Sequence, residues 1–191
     1  MQHLIEHSTI MFNYENESMF NIVRKNLGFM QPYGYSDVNN MIAQCMCNVS
    51  SSMRFPGNLN ADYRKIATNL VPFPRMKACY TKNSPNRARN DVDNHAEFSK
   101  VTTSEIIEKL FDFRYHTYKN IRGQHFPIAM HLVLRGNFDG CGVEENVKKC
   151  WDNFKGKHHS YHDNFSMAFV KIPAFGTSKT ATNIVNDAGF G

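Results

Sequence analysis

The sequence lacks any long hydrophobic run. None of its 191 residues lies in an uninterrupted apolar stretch of about 18, the length that a membrane-spanning helix requires. The first residues, MQHLIEHSTIMFNYENE, have neither a basic start nor a continuous apolar core, so no secretory signal is predicted. With 41% hydrophobic and 20% charged residues, the chain does not have the composition of a disordered tail either. A folded domain of ordinary size in the cytoplasm is expected.

Cysteine is scarce, and no pair has the Cys-x-x-Cys spacing of a zinc site or a redox motif. The five cysteines are therefore predicted to be buried thiols in a reducing compartment. Histidines cluster in one loop, at His158, His159 and His162, but two histidines in tandem rarely converge on one ion, so no metal site is assigned. His131 lies in the middle of an apolar run and is expected to be a core residue.

Positive charge is in small excess, with a formal net charge of +5. The basic residues are dispersed and separated by acidic ones, so nucleic acid is not the favoured partner.

Apolar spacing in the first half predicts helices. One covers residues 16–27, and a longer one, capped by Ser36 or Asp37, is expected to run to about Phe55, where Pro56 and Gly57 end it. A short helix follows. Residues 74–80 are predicted to form a strand, and residues 81–100 a polar loop.

The second half alternates between helices and strands. Thr102 and Glu105 form a capping-box pattern before a helix. The run at 126–135 is apolar on both faces, which predicts a strand with helices on both sides of its sheet. A helix at 142–154 and strands at 165–172 and 179–187 complete the order. The pattern indicates an α+β or α/β fold built on a mixed sheet.

The densest group of unusual residues is RFPGNLNAD, at 54–62. Proline and glycine at a helix end produce a rigid loop, in which Asn60 and Asp62 have fixed directions. Such groups can orient a water or contact phosphate-bound magnesium. An ordinary helix cap at Asp62 explains the same residues.

The longer stretch RFPGNLNADYRKIATNLVPFPR resembles the loop and helix that follow the central helix of tubulins, and it is closer to the beta type than to the alpha type. NESMFNIVRKNL, VTTSEIIEKLFDF and HLVLRGNFDG resemble other tubulin segments in the same order. The resemblance implies an α+β fold: a two-layer sandwich with a mixed β-sheet and flanking helices, as in the tubulin/FtsZ intermediate domain, preceded by a long core helix. Residues 1–55 would be a remnant of the nucleotide domain, and residues 56–191 an intermediate domain that is incomplete at its C-terminus.

The resemblance also implies two groups of site residues. Asn16, Tyr35 and Asn39 correspond to positions that contact the guanine base in the family. The positions of Gly57, Asn60, Asp62 and Lys65 belong to the loop that faces the next subunit of a filament. Lys65 replaces the glutamate that activates hydrolysis in the alpha type, and an ammonium group is no general base at neutral pH, so no catalytic residue is expected.

No GGGTGSG-like phosphate loop occurs in the sequence, so GTP or GDP is expected to bind only if a partner supplies the phosphate site. The resemblance implies a non-catalytic structural module of the cytoskeleton. Its partners would be tubulin-like subunits or a larger assembly. The alternative is one part of a split GTP-binding tubulin. In either case Met19, Phe20, Met41 and Cys45 are expected to be exposed, because the family covers the central helix with a second domain.

Overall fold

The computed structural model describes residues 2–27, 34–57, 62–86, 101–112, 115–118, 127–155, 165–174 and 177–187. The first half contains α1 (Gln2–His7), β1 (Met11–Phe12), α2 (Asn16–Leu27), α3 (Tyr35–Val49), α4 (Ser51–Arg54) and α5 (Tyr63–Leu70). The second half contains β2 (Ala78–Ser84), α6 (Thr103–Phe111), β3 (Pro127–Gly136), α7 (Gly140–Lys155), β4 (Phe165–Val170) and β5 (Lys179–Asp187).

The described strands form one mixed sheet in the order β1-β2-β5-β3-β4. β5, the last of the described strands, lies between β2 and β3 and is antiparallel to both. The outer strands are parallel to their neighbours, β1 to β2 and β4 to β3. This mixed sheet with flanking helices confirms the predicted α+β fold.

One face of the sheet is covered by α6 and α7. Apolar side chains of these helices pack on the side chains that β2, β3 and β5 direct to this face. Complete burial of a leucine or isoleucine contributes about 1.5–3 kcal/mol, so this layer is a main source of stability. Its fully buried members are Ile106, Ile107, Leu110, Leu132, Leu134, Val143 and Ala181.

The opposite face is covered by α5 and by the C-terminal end of α3. Ile66 and Leu70 of α5 and Val49 of α3 belong to one hydrophobic cluster with residues of the strands. Side chains on both faces of β3 are thus buried under helices, as the sequence predicts. The strand residues of this cluster are Cys79, Ala129, Val133, Ala168, Val170 and Ile184.

A third cluster joins α2 to α3. Met19, Ile22 and Val23 of α2 pack against Val38 and Met41 of α3. The expected exposure of the two methionines and of Cys45 is therefore wrong: all three are buried, and Phe20 is partly buried. The packing of α2 against α3 buries the two methionines without a second domain.

The long helix ends earlier than the sequence predicts. Its first turn begins after Gly34, whose backbone N–H donates to Asp37 Oδ2 at 2.9 Å, so neither Ser36 nor Asp37 is the N-cap. A break at Ser50 separates α3 from α4. The Ser50 hydroxyl donates to the carbonyl of Met46 at 2.9 Å, and serine bonds of this kind compete with the helical ladder and bend it.

The sequence predicts a strand at 74–80 and a polar loop at 81–100, but β2 covers Ala78–Ser84. The strand therefore begins and ends later than predicted, and residues 81–84 belong to the strand and not to the loop. Thr81, Lys82, Asn83 and Ser84 are all buried. Burial of polar groups is tolerated where they have hydrogen-bond partners. Here several of these partners belong to elements that are distant in the sequence. For example, the Thr117 hydroxyl donates to the Thr81 carbonyl at 2.8 Å.

Within the described residues no helix is long and apolar enough to cross a membrane. The division into two domains at residue 55 stays a prediction.

Candidate functional site

Asn16 is the first residue of α2, and its side chain is exposed. The preceding residue holds this helix end in place. The Glu15 N–H donates to the carbonyl of Thr117 at 2.9 Å, and the Ser18 hydroxyl donates to Glu15 Oε2 at 2.8 Å. The start of α2 is therefore fixed to the segment that follows α6, with Asn16 facing solvent.

Tyr35 is the first residue of α3 and is 66% exposed. Its ring meets the ring of Phe20 edge to face, with centroids 5.2 Å apart and an interplanar angle of 69°. This geometry is a favourable one for aromatic pairs. The contact joins the first turn of α3 to the second turn of α2.

The Phe20–Tyr35 contact also relates the two asparagines. Asn16 lies four residues before Phe20, and Asn39 lies four residues after Tyr35, so each shares a helix face with one of the two rings. Asn39 is exposed, like Asn16. Asn39 thus lies one turn from the exposed Tyr35 ring, whereas Asn16 is related to that ring only through Phe20.

The second candidate group begins where the chain leaves α4. The Lys171 N–H donates to the carbonyl of Pro56 at 3.1 Å, which fixes the loop to the end of β4. Gly57 lies so close to this strand that a Cβ atom at its position would be 1.8 Å from the carbonyl oxygen of Phe169. Glycine is therefore required here by the close approach of two backbones.

Asp62 caps α5, as the sequence predicts. Its side chain accepts a hydrogen bond from the Lys65 N–H at 2.7 Å, which satisfies one of the free donors of the first turn. Asp62 and the Lys65 side chain are exposed, and so is Tyr63 between them. Asn60, a predicted interface residue, lies outside the described residues.

A buried arginine supports this loop, and sequence reasoning missed it. Arg135 Nη1 donates to Asn48 Oδ1 at 2.9 Å, and its other nitrogens donate to the carbonyls of Ile172 and Pro173 at 3.3 and 3.2 Å. Its guanidinium carbon lies 5.2 Å from the ring centroid of Phe55, a cation–π distance. Burial, and then the neighbouring Arg54, lower the pKa of Arg135.

The network continues into the sheet through Asn83. Asn48 Nδ2 and the Thr182 hydroxyl both donate to Asn83 Oδ1 at 2.8 Å. α3 is thereby connected to β2, β3 and β5 through polar groups that are all buried. Asn48 is a polar residue on the apolar face of the predicted long helix. This is the one feature of the sequence that could have indicated the buried polar network.

Lys82 is a second buried cation that the sequence did not reveal. It is 5% exposed and lies on the face of the sheet that α6 covers, with Nζ 5.9 Å from the ring centroid of Tyr80. Desolvation lowers its pKa to about 7, although Asp112 and Asp187 favour the charged form.

His131 is a core residue, as expected. It is 1% exposed, and its Nδ1 lies 2.7 Å from the Ser166 hydroxyl on β4. Nε2 is buried and has no hydrogen-bond partner. Burial lowers the pKa of His131 to about 4. The loop histidines at 158, 159 and 162 lie outside the described residues.

A group of possible metal ligands lies on α1, where the sequence analysis did not expect one. Among the described residues, the side chains of His3, Glu6 and His7 are close enough together to hold a metal ion.

No protein-family model matches the chain. Several curated proteins are similar in sequence to the chain. The chain is 37% identical over 193 residues to the tubulin beta chain of Saccharomyces cerevisiae and 30% identical over 188 residues to that of Trichophyton rubrum. It is 29% identical over 189 residues to the tubulin beta-2 chain of Emericella nidulans.

These alignments include 96% of this chain but only 39–40% of each relative, so the chain spans about two fifths of their length. The polypeptide is thus tubulin-like along nearly its whole length, and it is similar to beta-tubulins in particular.

Proposed function

We propose that this chain is a non-catalytic, tubulin-like module that contributes contact surfaces to a tubulin-type filament or to a larger cytoskeletal assembly. The observation that carries the proposal is an exposed apolar surface along α3 and α4. It consists of Tyr35, Met46 and Met53, which are 66%, 47% and 40% exposed. We call these three residues the α3–α4 surface.

The spacing of these residues supports a contact role. Tyr35 and Met46 are eleven residues apart in α3, which is close to three helical turns, so they share a face of this helix. Met53 follows in α4, after the break at Ser50. Their other neighbours on α3, such as Val38 and Met41, are buried against α2. Large side chains exposed in a row mark interaction sites more often than scattered ones do.

Two features of the sequence support the non-catalytic part of the proposal. Lys65 stands at the position where the alpha type has its glutamate, and its exposed ammonium accepts no proton from water at neutral pH. The sequence also contains no glycine-rich phosphate loop. Backbone N–H groups of such loops are what hold phosphates.

Co-sedimentation with polymers of tubulin-like subunits tests the contact role. We expect the full chain to pellet with the polymer, Met46→Lys to weaken this by about tenfold or more, and Lys149→Met to leave it unchanged. Lys149 is a suitable control because it lies on α7, far along the sequence, and its side chain is 67% exposed. A chain that stays in the supernatant at every polymer concentration contradicts the proposal.

The alternative function is that of one part of a split GTP-binding tubulin. The Phe20–Tyr35 contact favours it, because it relates Asn16 to Asn39 across α2 and α3. A base held by so few groups binds weakly, so this function requires a second chain with the phosphate site.

Calorimetric titration with GTP separates the two functions. We expect no micromolar binding by the chain alone. Micromolar binding that Asn39→Ala or Tyr35→Ala abolishes contradicts the non-catalytic module and supports the alternative. Ala43→Ser, at an exposed position of the same helix, is the control for a general effect of substitutions in α3.

A further inference from the structure

The first helix carries a group of metal-ligating side chains that the tubulin likeness does not explain. His3, Glu6 and His7 are spaced i, i+3 and i+4, so they share one face of α1. One ligand atom from each lies within 4.8 Å of the others, and all three side chains are exposed. The imidazole rings are nearly parallel, with centroids 6.3 Å apart and an interplanar angle of 7°.

These distances are close to what coordination needs. Ligand atoms that surround a tetrahedral zinc ion at about 2.1 Å lie about 3.4 Å from one another. Atoms already within 4.8 Å reach this separation by small side-chain rotations. No backbone movement is required, because all three side chains project from the same two turns.

The carboxylate and the helix are both held in position. Gln2 Nε2 donates to Glu6 Oε1 at 3.0 Å, an outer hydrogen bond of the kind that orients ligands in metal sites. At the C-terminal end of α1, Lys77 Nζ donates to the carbonyl of Ile5 at 2.7 Å. The Ser8 N–H donates to the carbonyl of Leu4 at 3.0 Å. These bonds fix a six-residue helix that buries no side chain of its own.

We propose that α1 binds a divalent transition-metal ion, of which Zn²⁺ is the representative, through His3, Glu6 and His7. Two imidazoles and one carboxylate suit zinc, copper or nickel rather than calcium or magnesium, which prefer sets of oxygen ligands. Water would occupy the fourth position. The same His-x-x-Glu-His order occurs on a helix of one class of zinc enzymes, in which the two histidines bind the ion and the glutamate acts as a base. Here the site is fully exposed, so the proposal is one of binding alone.

The test uses the full chain without a polyhistidine tag. Titration with Co²⁺, followed by visible absorption and by displacement with Zn²⁺, measures the affinity and the stoichiometry. We expect one ion per chain, and His3→Ala and His7→Ala should each weaken binding by at least about tenfold, since even outer-shell partners contribute about 10–100-fold.

Two controls make the result specific. The exchange Gln2→His with His3→Gln keeps the composition but places the imidazoles five residues apart, on different faces of the helix, and should weaken binding as much as His3→Ala does. A chain with His158→Ala, His159→Ala and His162→Ala should bind as the unmodified chain does. Absence of binding by the unmodified chain overturns the proposal, and so does binding that only the loop variant loses. Circular dichroism of each variant verifies that it is folded.

Discussion

Arg135 and Asn48 lie 87 residues apart in the sequence, and their side chains meet at 2.9 Å between β3 and α3. The asparagine accepts a hydrogen bond from the guanidinium and donates one to Asn83, so a single carboxamide connects the loop-supporting arginine to β2.

Replacement of Asn48 by Ala removes both bonds and leaves a buried guanidinium N–H and the Asn83 oxygen with fewer partners. We expect the free energy of unfolding to fall by about 2–4 kcal/mol, measured by urea denaturation. Asn39→Ala, an exposed position on the same helix, should change it by less than about 0.5 kcal/mol. Equal effects of the two substitutions would contradict the assigned role of Asn48.

Gly57→Ala tests the close approach of the loop to β4. The added methyl group would overlap the Phe169 carbonyl oxygen, so the loop must move away, at a cost of about 1–3 kcal/mol. The Lys171 amide proton, which is bonded to Pro56, should also exchange faster with solvent. Gly140→Ala is the control, because nothing lies within 4 Å of its Cβ position. Unchanged exchange at Lys171 would contradict the prediction.

Lys82 should make stability rise with pH on the alkaline side. Its pKa is about 7 in the folded chain against a usual 10.5, so between these values the unfolded chain binds more protons than the folded one. The cost of burying the charge is therefore complete below about pH 7 and is relieved towards pH 10.5. We expect the unfolding free energy of the unmodified chain, relative to that of Lys82→Met, to rise by a few kcal/mol over this interval, on the order of 1.4 kcal/mol per pKa unit.

Denaturation curves of both proteins at several pH values measure this difference. Lys149→Met, at an exposed position, serves as the control for the loss of a positive charge. A difference between the unmodified chain and Lys82→Met that stays constant with pH would show that Lys82 is not the titrating group.

His131 should make stability depend on pH in the acid range. Its pKa is about 4 in the folded chain against a usual 6.5, so the unfolded chain binds more protons between these values, and stability falls as pH is lowered from 6.5 to 4. We expect a loss on the order of 3 kcal/mol, which should be smaller in His131→Leu. His7→Ala, on the surface, controls for the loss of an imidazole. Identical acid profiles for His131→Leu and the unmodified chain would refute the prediction.

The apolar pattern of the sequence was sufficient to place most helices and strands. The predicted bounds of α2 and β5 agree with the structure. α2 buries Met19, Ile22 and Val23 at helical spacing, and every residue of β5 after Lys179 is buried. The sequence did not predict α1 or β1. α1 buries no residue and β1 is only two residues long, so neither produces an apolar pattern.

Polar residues account for the other differences. β2 extends to Ser84 because Asn83 and Thr81 find partners on Thr182, Asn48 and Thr117. Such pairs join residues 35 to 99 positions apart and leave no local pattern. For the candidate site, the sequence located Asp62 as a helix cap, but the Phe20–Tyr35 contact and the support by Arg135 depend on tertiary structure.

The position of β5 has a consequence for how the chain folds during synthesis. β2 is complete at residue 84, but its antiparallel neighbour begins at residue 179, so the edge of β2 on that side waits for almost a hundred further residues to be translated. Long-range pairing of this kind is slow, and unpaired strand edges invite aggregation in the meantime. The nine residues of β5 pair with β2 on one side and β3 on the other, so the five-strand order cannot form before this strand has been synthesised.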